Sequence, residues 1–174
     1  MMMHQGIGLD AFNAMPITRA VHAVYECCGS VPLAADIVRG RPFANHDELF
    51  RRADALLFAL SEDSIDTILQ AYPPVGRRPR STRSRHEVCS VWDDSPEVMA
   101  RLTAATDAYA ARFGFTFVMF VDGLDAPGVL AAVADRMHND PETERKVVRN
   151  ELARINRSRL DRMLGPEGGY TNWW

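Results

Sequence analysis

Apolar residues recur at helical spacing along most of the chain, and this pattern predicts an all-α fold. Between Ile17 and Cys28 the apolar positions fall on one side of a helix, and Gly29 follows where helices commonly end. The same spacing, with capping residues and prolines as boundaries, predicts further helices over 32–39, 46–60, 62–72, 96–113, 126–138 and 141–164, and a short one that begins at Ser84. We therefore expect a single-domain, bundle-like fold of seven to eight helices.

One apolar stretch lacks the helical period. Residues 115–121 read FTFVMFV, a continuous apolar run that follows Gly114. Such a run is typical of either a buried strand or a buried extended segment, and its periodicity does not distinguish the two. We place it inside one helical domain over 10–165, between a flexible N-terminus at 1–9 and a C-terminal tail at 166–174.

Composition and charge narrow the class of protein. The 174 residues are 47% hydrophobic and 25% charged with a net charge of -3, so a general nucleic-acid binder, which normally carries a basic excess, is not expected. No apolar run approaches the length of a membrane span, and the first residues lack the basic and apolar regions of a signal peptide. The three cysteines, Cys27, Cys28 and Cys89, fit neither a disulfide framework nor a zinc-binding pair, which favours reduced thiols in a cytoplasmic protein.

Polar chemistry is concentrated between Ala71 and Val88, in the stretch AYPPVGRRPRSTRSRHEV. Two prolines end the preceding helix, and five arginines follow within nine residues. Three interpretations are open: a solvated basic loop, a nucleic-acid-binding patch or an active site. The nucleic-acid interpretation is weak because no aromatic residues are interleaved with the arginines. The active-site interpretation depends on Ser84 and Glu87, which can present a hydroxyl, a carboxylate and free backbone N–H groups to an anionic ligand, and on His86 between them.

Arginines also line the last predicted helix, and one of them is a candidate for the site. Arg159 lies beside Ile155 and Leu160 in the apolar pattern, so we expect its guanidinium to point partly inward. There it would need a carboxylate partner, from the protein or from a substrate. The alternative is a solvated helix face with ion pairs such as Glu151 with Arg154.

The order of sequence landmarks resembles that of a known family. Along the chain they are Phe12-Asn13-Ala14-Met15-Pro16, Cys28-Gly29-Ser30, Arg41-Pro42-Phe43, Pro73-Pro74-Val75-Gly76, Ser84-x-x-Glu87, Tyr109-x-x-x-Phe113-Gly114-Phe115, Phe117-Val118, Asn139-Asp140-Pro141 and Glu151-x-x-x-Ile155-x-x-x-Arg159-Leu160. Over roughly residues 10 to 164 the chain resembles the 2-oxo-4-hydroxy-4-carboxy-5-ureidoimidazoline (OHCU) decarboxylase family, the last enzyme in the conversion of urate to (S)-allantoin. The resemblance implies an all-helical, homodimeric enzyme that acts on a small molecule without a cofactor or a metal.

The resemblance also implies a set of site residues. In that family a His-Pro-x-Ile/Val-Gly motif supplies the catalytic acid/base, and a Ser-x-x-Glu-Gln motif holds the substrate. The backbone of the Phe-Val run touches the ligand, and a C-terminal arginine suits a carboxylate. Carried over by position, the substrate-binding residues are Pro73, Ser84, Val88, Phe117, Met119, Val121 and Arg159, and the catalytic residues are Tyr72 and Glu87, with His86 as a substitute acid/base.

Two departures from the family pattern fall on residues that define the chemistry. Tyr72 stands where the family has its histidine, and Val88 stands where it has glutamine. Thr106 replaces an asparagine found in many members. A phenol, with an ordinary pKa of about 10, donates a hydrogen bond or a proton but is a poor base. A valine side chain cannot hydrogen-bond a ureido or lactam edge.

Three functional hypotheses follow from these departures. The first is an enzyme repurposed to a different carboxylated or more apolar substrate, for example in secondary metabolism. The second is a genuine OHCU decarboxylase in which Tyr72 or His86 replaces the absent histidine. The third is a non-catalytic module that binds a small molecule or a partner protein.

Overall fold

The computed structural model describes residues 6–76 and 88–167, and it confirms the all-α prediction. Eight helices lie within these residues: α1 (Leu9–Ala14), α2 (Ile17–Cys28), α3 (Val31–Val38), α4 (His46–Phe58), α5 (Glu62–Gln70), α6 (Pro96–Phe113), α7 (Ala126–Arg136) and α8 (Pro141–Leu164). No strand occurs in the described ranges. None of these eight helices is both long and apolar enough to cross a membrane. The short helix predicted at Ser84 lies outside the described residues.

The helices begin and end where the local sequence stabilises their free backbone groups. Side chains that accept a hydrogen bond from a first-turn amide precede α3, α4, α5, α6 and α7; they are Ser30, Asn45, Ser61, Ser95 and Asp125. Gly29 and Gly114 end α2 and α6 in the left-handed conformation, with φ of 68° and 83°. Glu48, in the first turn of α4, accepts a hydrogen bond from the Ala44 amide, one residue before the N-cap.

Contacts between Cα atoms group the chain into two compact units. Among the described residues, the first unit comprises those up to 60 and those from 156 onward, and the second comprises those within 61–155. The last helix, α8, therefore contributes residues to both units. The predicted division into one domain over 10–165 and two end segments stays a prediction.

In the first unit α2 packs against α3, and α3 packs against α4. Polar side chains there hydrogen-bond backbone groups of residues that are distant in the sequence. Arg41 donates to the carbonyls of Phe12 and Met15, with N···O distances of 2.7 and 2.6 Å. Asn13 donates to the Phe43 carbonyl at 2.8 Å and accepts from the Phe43 amide at 2.9 Å. These bonds satisfy backbone groups at a helix end and in a loop, where the regular hydrogen bonds of a helix are incomplete.

In the second unit α6 packs against α7 over a hydrophobic core. Its buried residues are Val75, Leu102, Tyr109, Phe117, Val121, Val129 and Val133. The FTFVMFV run at 115–121 adjoins this core and pairs with no strand among the described residues, so the alternative of a buried extended segment is confirmed. Because such a segment has no sheet to satisfy its backbone groups, they must find other partners, and these partners build the candidate site.

Candidate active site

Two backbone hydrogen bonds join three of the predicted site segments within the second unit. The Val91 amide donates to the Val75 carbonyl at 2.8 Å, and the Val121 amide donates to the Val88 carbonyl at 2.6 Å. The segment after α5, the segment at Val88 and the end of the 115–121 run are therefore tied to one another in pairs. The sequence predicts that each belongs to the site, and the structure brings them together.

The predicted substrate-binding side chains of the 115–121 run face inward. Phe117 and Val121 are 2% and 5% exposed and belong to the hydrophobic core, and Met119 is partly buried against that core. Alternate side chains of an extended chain share one face, and here that face packs on α6 and α7. Any ligand contact of Phe117 and Val121 must therefore come from their backbone groups. The substrate-binding role of these residues stays a prediction.

One edge of the 115–121 run is held by charged side chains from two helices. Arg136 Nη1 donates to the Val118 carbonyl at 2.7 Å, and the Phe120 amide donates to Glu151 Oε2 at 2.6 Å. Arg136 ends α7, and Glu151 lies within α8. Each bond has one charged partner, which makes it stronger than a bond between neutral groups.

The opposite edge of the run presents a backbone donor and acceptor. In a planar trans peptide the C=O group and the following N–H group point in opposite directions. The peptide planes anchored at Val118 and Phe120 therefore direct the Met119 N–H and C=O away from the anchors. Val121 uses its amide on Val88, whereas no hydrogen bond within the described residues uses the Met119 amide or carbonyl. Met119 thus offers one donor and one acceptor, which complement an amide or lactam edge.

A buried ion-pair network supports Arg136. Its Nε and Nη2 atoms lie 2.7 and 2.6 Å from Glu144 Oε1, and Glu144 is fully buried. Glu144 also accepts from the Tyr109 hydroxyl and from Asn139 Nδ2. Burial, followed by the hydrogen bond to Glu144, raises the pKa of Tyr109 well above its ordinary value. Because every member is paired, the network fixes the Arg136 guanidinium against the Val118 carbonyl.

Tyr72 and Pro73 lie directly after α5, at the point where the helix ends. The Tyr72 amide still donates to the Leu69 carbonyl at 3.1 Å, but Pro73 has no amide with which to continue the helix. Both residues are half-buried. Gly76 packs closely on α6, because a Cβ at that position would lie 3.0 Å from Met99 Cε. The catalytic role of Tyr72 and the substrate-binding role of Pro73 stay predictions.

Three predicted site residues, Ser84, His86 and Glu87, lie outside the described residues, as do the five arginines of the loop. Their roles stay predictions. Val88, the first described residue after them, is half-buried, and its carbonyl accepts from Val121. Within 6–76 and 88–167, no group of three or more His, Cys, Asp or Glu side chains is placed to hold a metal ion.

Arg159 lies in the first unit, and its predicted partial burial is confirmed. Its Nη1 donates to the Cys27 carbonyl at 3.2 Å, at the C-terminal end of α2, where a cation is favourable. Cys27, Cys28 and Cys89 are buried, and none of the three forms a disulfide. Burial, with the neighbouring Cys28, raises the pKa of Cys27 to about 12 against the opposing charge of Arg159. The role of Arg159 toward a substrate carboxylate stays a prediction.

The sequence does not predict Arg136 and Glu144, and it suggests a different role for Glu151. Arg136 and Glu144 flank a helix boundary and resemble ordinary charges at helix ends. For Glu151 the available signal is its spacing of four residues from Ile155, which places it next to the buried stripe of α8. The predicted ion pair of Glu151 with Arg154 is present at 3.5 Å, while the other carboxylate oxygen of Glu151 holds the extended segment.

Comparison with known proteins identifies the family. A family model described as OHCU decarboxylase matches residues 13–161. The chain belongs to the OHCU decarboxylase family. It is 27% identical over 172 residues to the 2-oxo-4-hydroxy-4-carboxy-5-ureidoimidazoline decarboxylase of Haloferax volcanii, covering 95% of this chain and 100% of that protein. The protein of the same name from Mus musculus is 27% identical over 162 residues, covering 88% of this chain and 90% of its own.

Two solved structures share the fold. An OHCU decarboxylase crystallised in the presence of (S)-allantoin superposes with a TM-score of 0.69 at 21% identity, covering 80% of this chain and 95% of that chain. An (S)-allantoin synthase superposes with a TM-score of 0.73 at 18% identity, covering 91% of this chain and 54% of that chain. The predicted helical fold of the OHCU decarboxylase family is therefore confirmed. Members of the family are carboxy-lyases, which confirms the predicted class of enzyme.

Proposed function

We propose that this chain is a carboxy-lyase that acts on a small carboxylated substrate different from OHCU. The observation that carries the proposal is the pair Tyr72 and Val88, at the positions where the family has its histidine and its glutamine. The segments of both residues lie in the second unit, beside the anchored 115–121 run. The exchanged residues therefore alter both the acid/base group and the recognition of the substrate.

Decarboxylation without a cofactor requires a substrate that itself carries a group able to accept the electron pair of the broken C–C bond. When the C–C bond to the carboxylate breaks, CO₂ leaves and the bonding electron pair passes into an adjacent carbonyl or imine of the substrate. The protein orients the carboxylate, excludes water and delivers a proton to the carbon. In this proposal the Tyr72 hydroxyl supplies that proton as a general acid, and the phenolate then regains a proton from water.

Recognition in this proposal is divided between Met119 and Val88. The Met119 N–H and C=O bind an amide-like edge of the substrate, and Val88 offers an apolar surface beside it. A glutamine at that position would supply a donor and an acceptor, which valine lacks. A polar group of OHCU left without its partner would cost about 1–3 kcal/mol of binding free energy. A substrate with an apolar group at this place avoids that cost.

We also infer a cytoplasmic homodimer that works without a cofactor. Three buried cysteines that form no disulfide support a reducing compartment. The homodimer and the cofactor independence follow from the family resemblance. Light scattering and metal analysis of the purified protein test the last two inferences, and a monomer or a stoichiometric metal would overturn them.

The experiment that tests the proposed function measures CO₂ release. Wild-type protein is incubated with freshly generated OHCU and with a panel of small cyclic carboxylates that carry an adjacent carbonyl or imine. We expect release from a panel compound, and no release from OHCU above the uncatalysed rate. Tyr72→Phe should lower turnover of the accepted compound by about 10²-fold or more, because it removes the general acid. Tyr25→Phe, at an exposed tyrosine of the first unit, is the matched control and should leave turnover unchanged.

OHCU itself is the second candidate substrate, and the names of the relatives from Haloferax volcanii and Mus musculus favour it. In this case Tyr72 or His86 replaces the histidine of the family, and the protein takes part in urate degradation. Formation of (S)-allantoin in enantiomeric excess from OHCU would establish this function. A racemic product formed at the uncatalysed rate would exclude it. Absence of CO₂ release from OHCU and from every panel compound would contradict lyase activity altogether.

A further inference from the structure

We propose that Arg136 and Glu151 are positioning residues, which hold the 115–121 run so that the Met119 backbone faces the substrate. This inference rests on the proposed function, because that function places the ligand on the Met119 edge. Neither Arg136 nor Glu151 touches the substrate. Each acts through a backbone group of a residue next to Met119.

The two anchors fix the peptide planes on both sides of Met119. The plane that carries the Val118 carbonyl also carries the Met119 amide, and the plane that carries the Phe120 amide also carries the Met119 carbonyl. Because the anchors hold the Val118 carbonyl and the Phe120 amide on one edge of the run, the Met119 amide and carbonyl point to the other edge. On that other edge the Val121 amide already meets the Val88 carbonyl, at 2.6 Å. The anchors thus set the direction of the donor and the acceptor that the substrate meets.

Ring contacts reinforce both anchors. The Arg136 guanidinium lies 4.4 Å from the centroid of the Phe117 ring, and the Arg154 guanidinium lies 4.7 Å from the centroid of the Phe120 ring. Arg154 is also paired with Glu151 at 3.5 Å. Helix α7 therefore holds the run on the N-terminal side of Met119, and α8 holds it on the C-terminal side.

The two anchors differ in their tolerance to substitution. Arg136 is 8% exposed and paired with the fully buried Glu144, so its removal would leave a buried charge unpaired and threaten the fold. The Glu151 side chain is 14% exposed, and its second oxygen is paired with the largely exposed Arg154. A substitution at Glu151 can therefore remove the anchor of the 115–121 run while the protein stays folded.

The test combines amide hydrogen exchange with a ligand titration of the full chain, both followed by NMR. The probe is hydantoin, a five-membered ring with lactam donors and acceptors, and in the wild type it should shift the Met119 amide resonance. Glu151→Ala should accelerate exchange of the Phe120 amide and weaken hydantoin binding, each by about 10-fold or more. Glu151→Gln keeps an acceptor oxygen and should stay within about 3-fold of the wild type for both measurements. Glu142→Ala, which removes an exposed ion pair of the same helix, is the matched control and should change neither.

The outcomes separate this inference from the proposed function. Faster Phe120 exchange in Glu151→Ala with unchanged hydantoin affinity would overturn the inference and leave the proposed function intact. Unchanged Phe120 exchange would overturn the anchor itself. If hydantoin does not shift the Met119 resonance of the wild type, the ligand edge is wrong, and the recognition part of the proposed function falls together with the inference. The thermal midpoint of each variant verifies that folded proteins are being compared.

Discussion

Polar side chains hydrogen-bond the backbone in both compact units, but with different results. In the first unit Asn13 exchanges two hydrogen bonds with Phe43, and Arg41 bonds two carbonyls at the end of α1, so that a corner of the chain is closed. In the second unit Arg136 and Glu151 each bond one group of an extended run. They hold one edge of that run and leave Met119 open on the other.

This difference distinguishes polar side chains that only satisfy backbone groups from polar side chains that also leave neighbouring backbone groups open to a ligand. Buried backbone outside helices and sheets must find partners wherever it lies. Where both the N–H and the C=O of a residue are satisfied, as at Phe43, the bonds are structural. Where the backbone groups on one edge of a segment are hydrogen-bonded and those on the other edge are not, the second edge can bind a ligand. Binding and catalytic residues often lie in irregular segments that a rigid scaffold holds in place. For this reason we place the proposed function in the second unit.

Breaking the buried network of the second unit should have the largest effect on stability. Glu144→Ala leaves the Arg136 guanidinium buried without its carboxylate and removes the acceptor of the Tyr109 hydroxyl. We expect the free energy of unfolding, from urea titration followed by circular dichroism, to fall by about 3–5 kcal/mol. Glu142→Ala in the same helix removes an exposed ion pair and should change it by less than about 0.5 kcal/mol. Equal effects of the two substitutions would contradict the supporting role of the network.

Removing the hydrogen bonds between Asn13 and Phe43 in the first unit should have a smaller effect on stability and leave ligand binding at Met119 unchanged. Asn13→Ala deprives the Phe43 amide and carbonyl of their partner, for an expected loss of about 1–3 kcal/mol of unfolding free energy. The hydantoin titration at Met119 should give the wild-type affinity. Weakened hydantoin binding in folded Asn13→Ala protein would show that the functional assignment to the second unit alone is wrong.

Alkaline pH should weaken both units, through buried groups whose pKa is raised. The pKa of Cys27 is raised from 9.0 to about 12, and burial also raises the pKa of Cys28 and of Tyr109. All three groups stay protonated in the folded state while they ionise in the unfolded state. Their contribution to stability is therefore complete below their ordinary pKa and is lost as the pH rises above it. Each group should lower the free energy of unfolding by up to about 1.4 kcal/mol per pH unit in that window.

Urea midpoints at pH 8 and at pH 10 check this dependence. The midpoint should be lower at the higher pH, and Cys27→Ala should reduce the difference, since one of these buried groups is then absent. Identical midpoints at the two pH values in the wild type would contradict the raised pKa values.

Local signals in the sequence predict the helices and the segments of the site. Gly29 and Gly114 end helices because glycine adopts a left-handed conformation at little cost, whatever the rest of the fold does. The prolines after Tyr72 and the apolar run at 115–121 mark two irregular segments by composition alone, and both adjoin the Val88–Val91 segment in the structure. These features depend on residues close together in the chain.

The partners of the buried polar groups are not predictable in the same way. The Phe120 amide is accepted by Glu151, 31 residues further along the chain, and nothing near Phe120 indicates which acceptor it meets. The choice of Glu144 as the partner of Arg136 likewise depends on how α7 and α8 pack, which helical spacing does not specify. Burial is what makes these pairs obligatory, and burial is a property of the assembled fold.

The most direct test restores the two exchanged residues together. If Tyr72 and Val88 direct the enzyme away from OHCU, the double variant Tyr72→His with Val88→Gln should gain stereoselective conversion of freshly generated OHCU to (S)-allantoin. The gain, followed by circular dichroism of the product, should be at least about 10²-fold over the wild type, because an imidazole acid/base and a polar recognition group are both regained. A wild-type protein that already forms (S)-allantoin in enantiomeric excess, or a folded double variant without any gain, would contradict the proposed change of substrate.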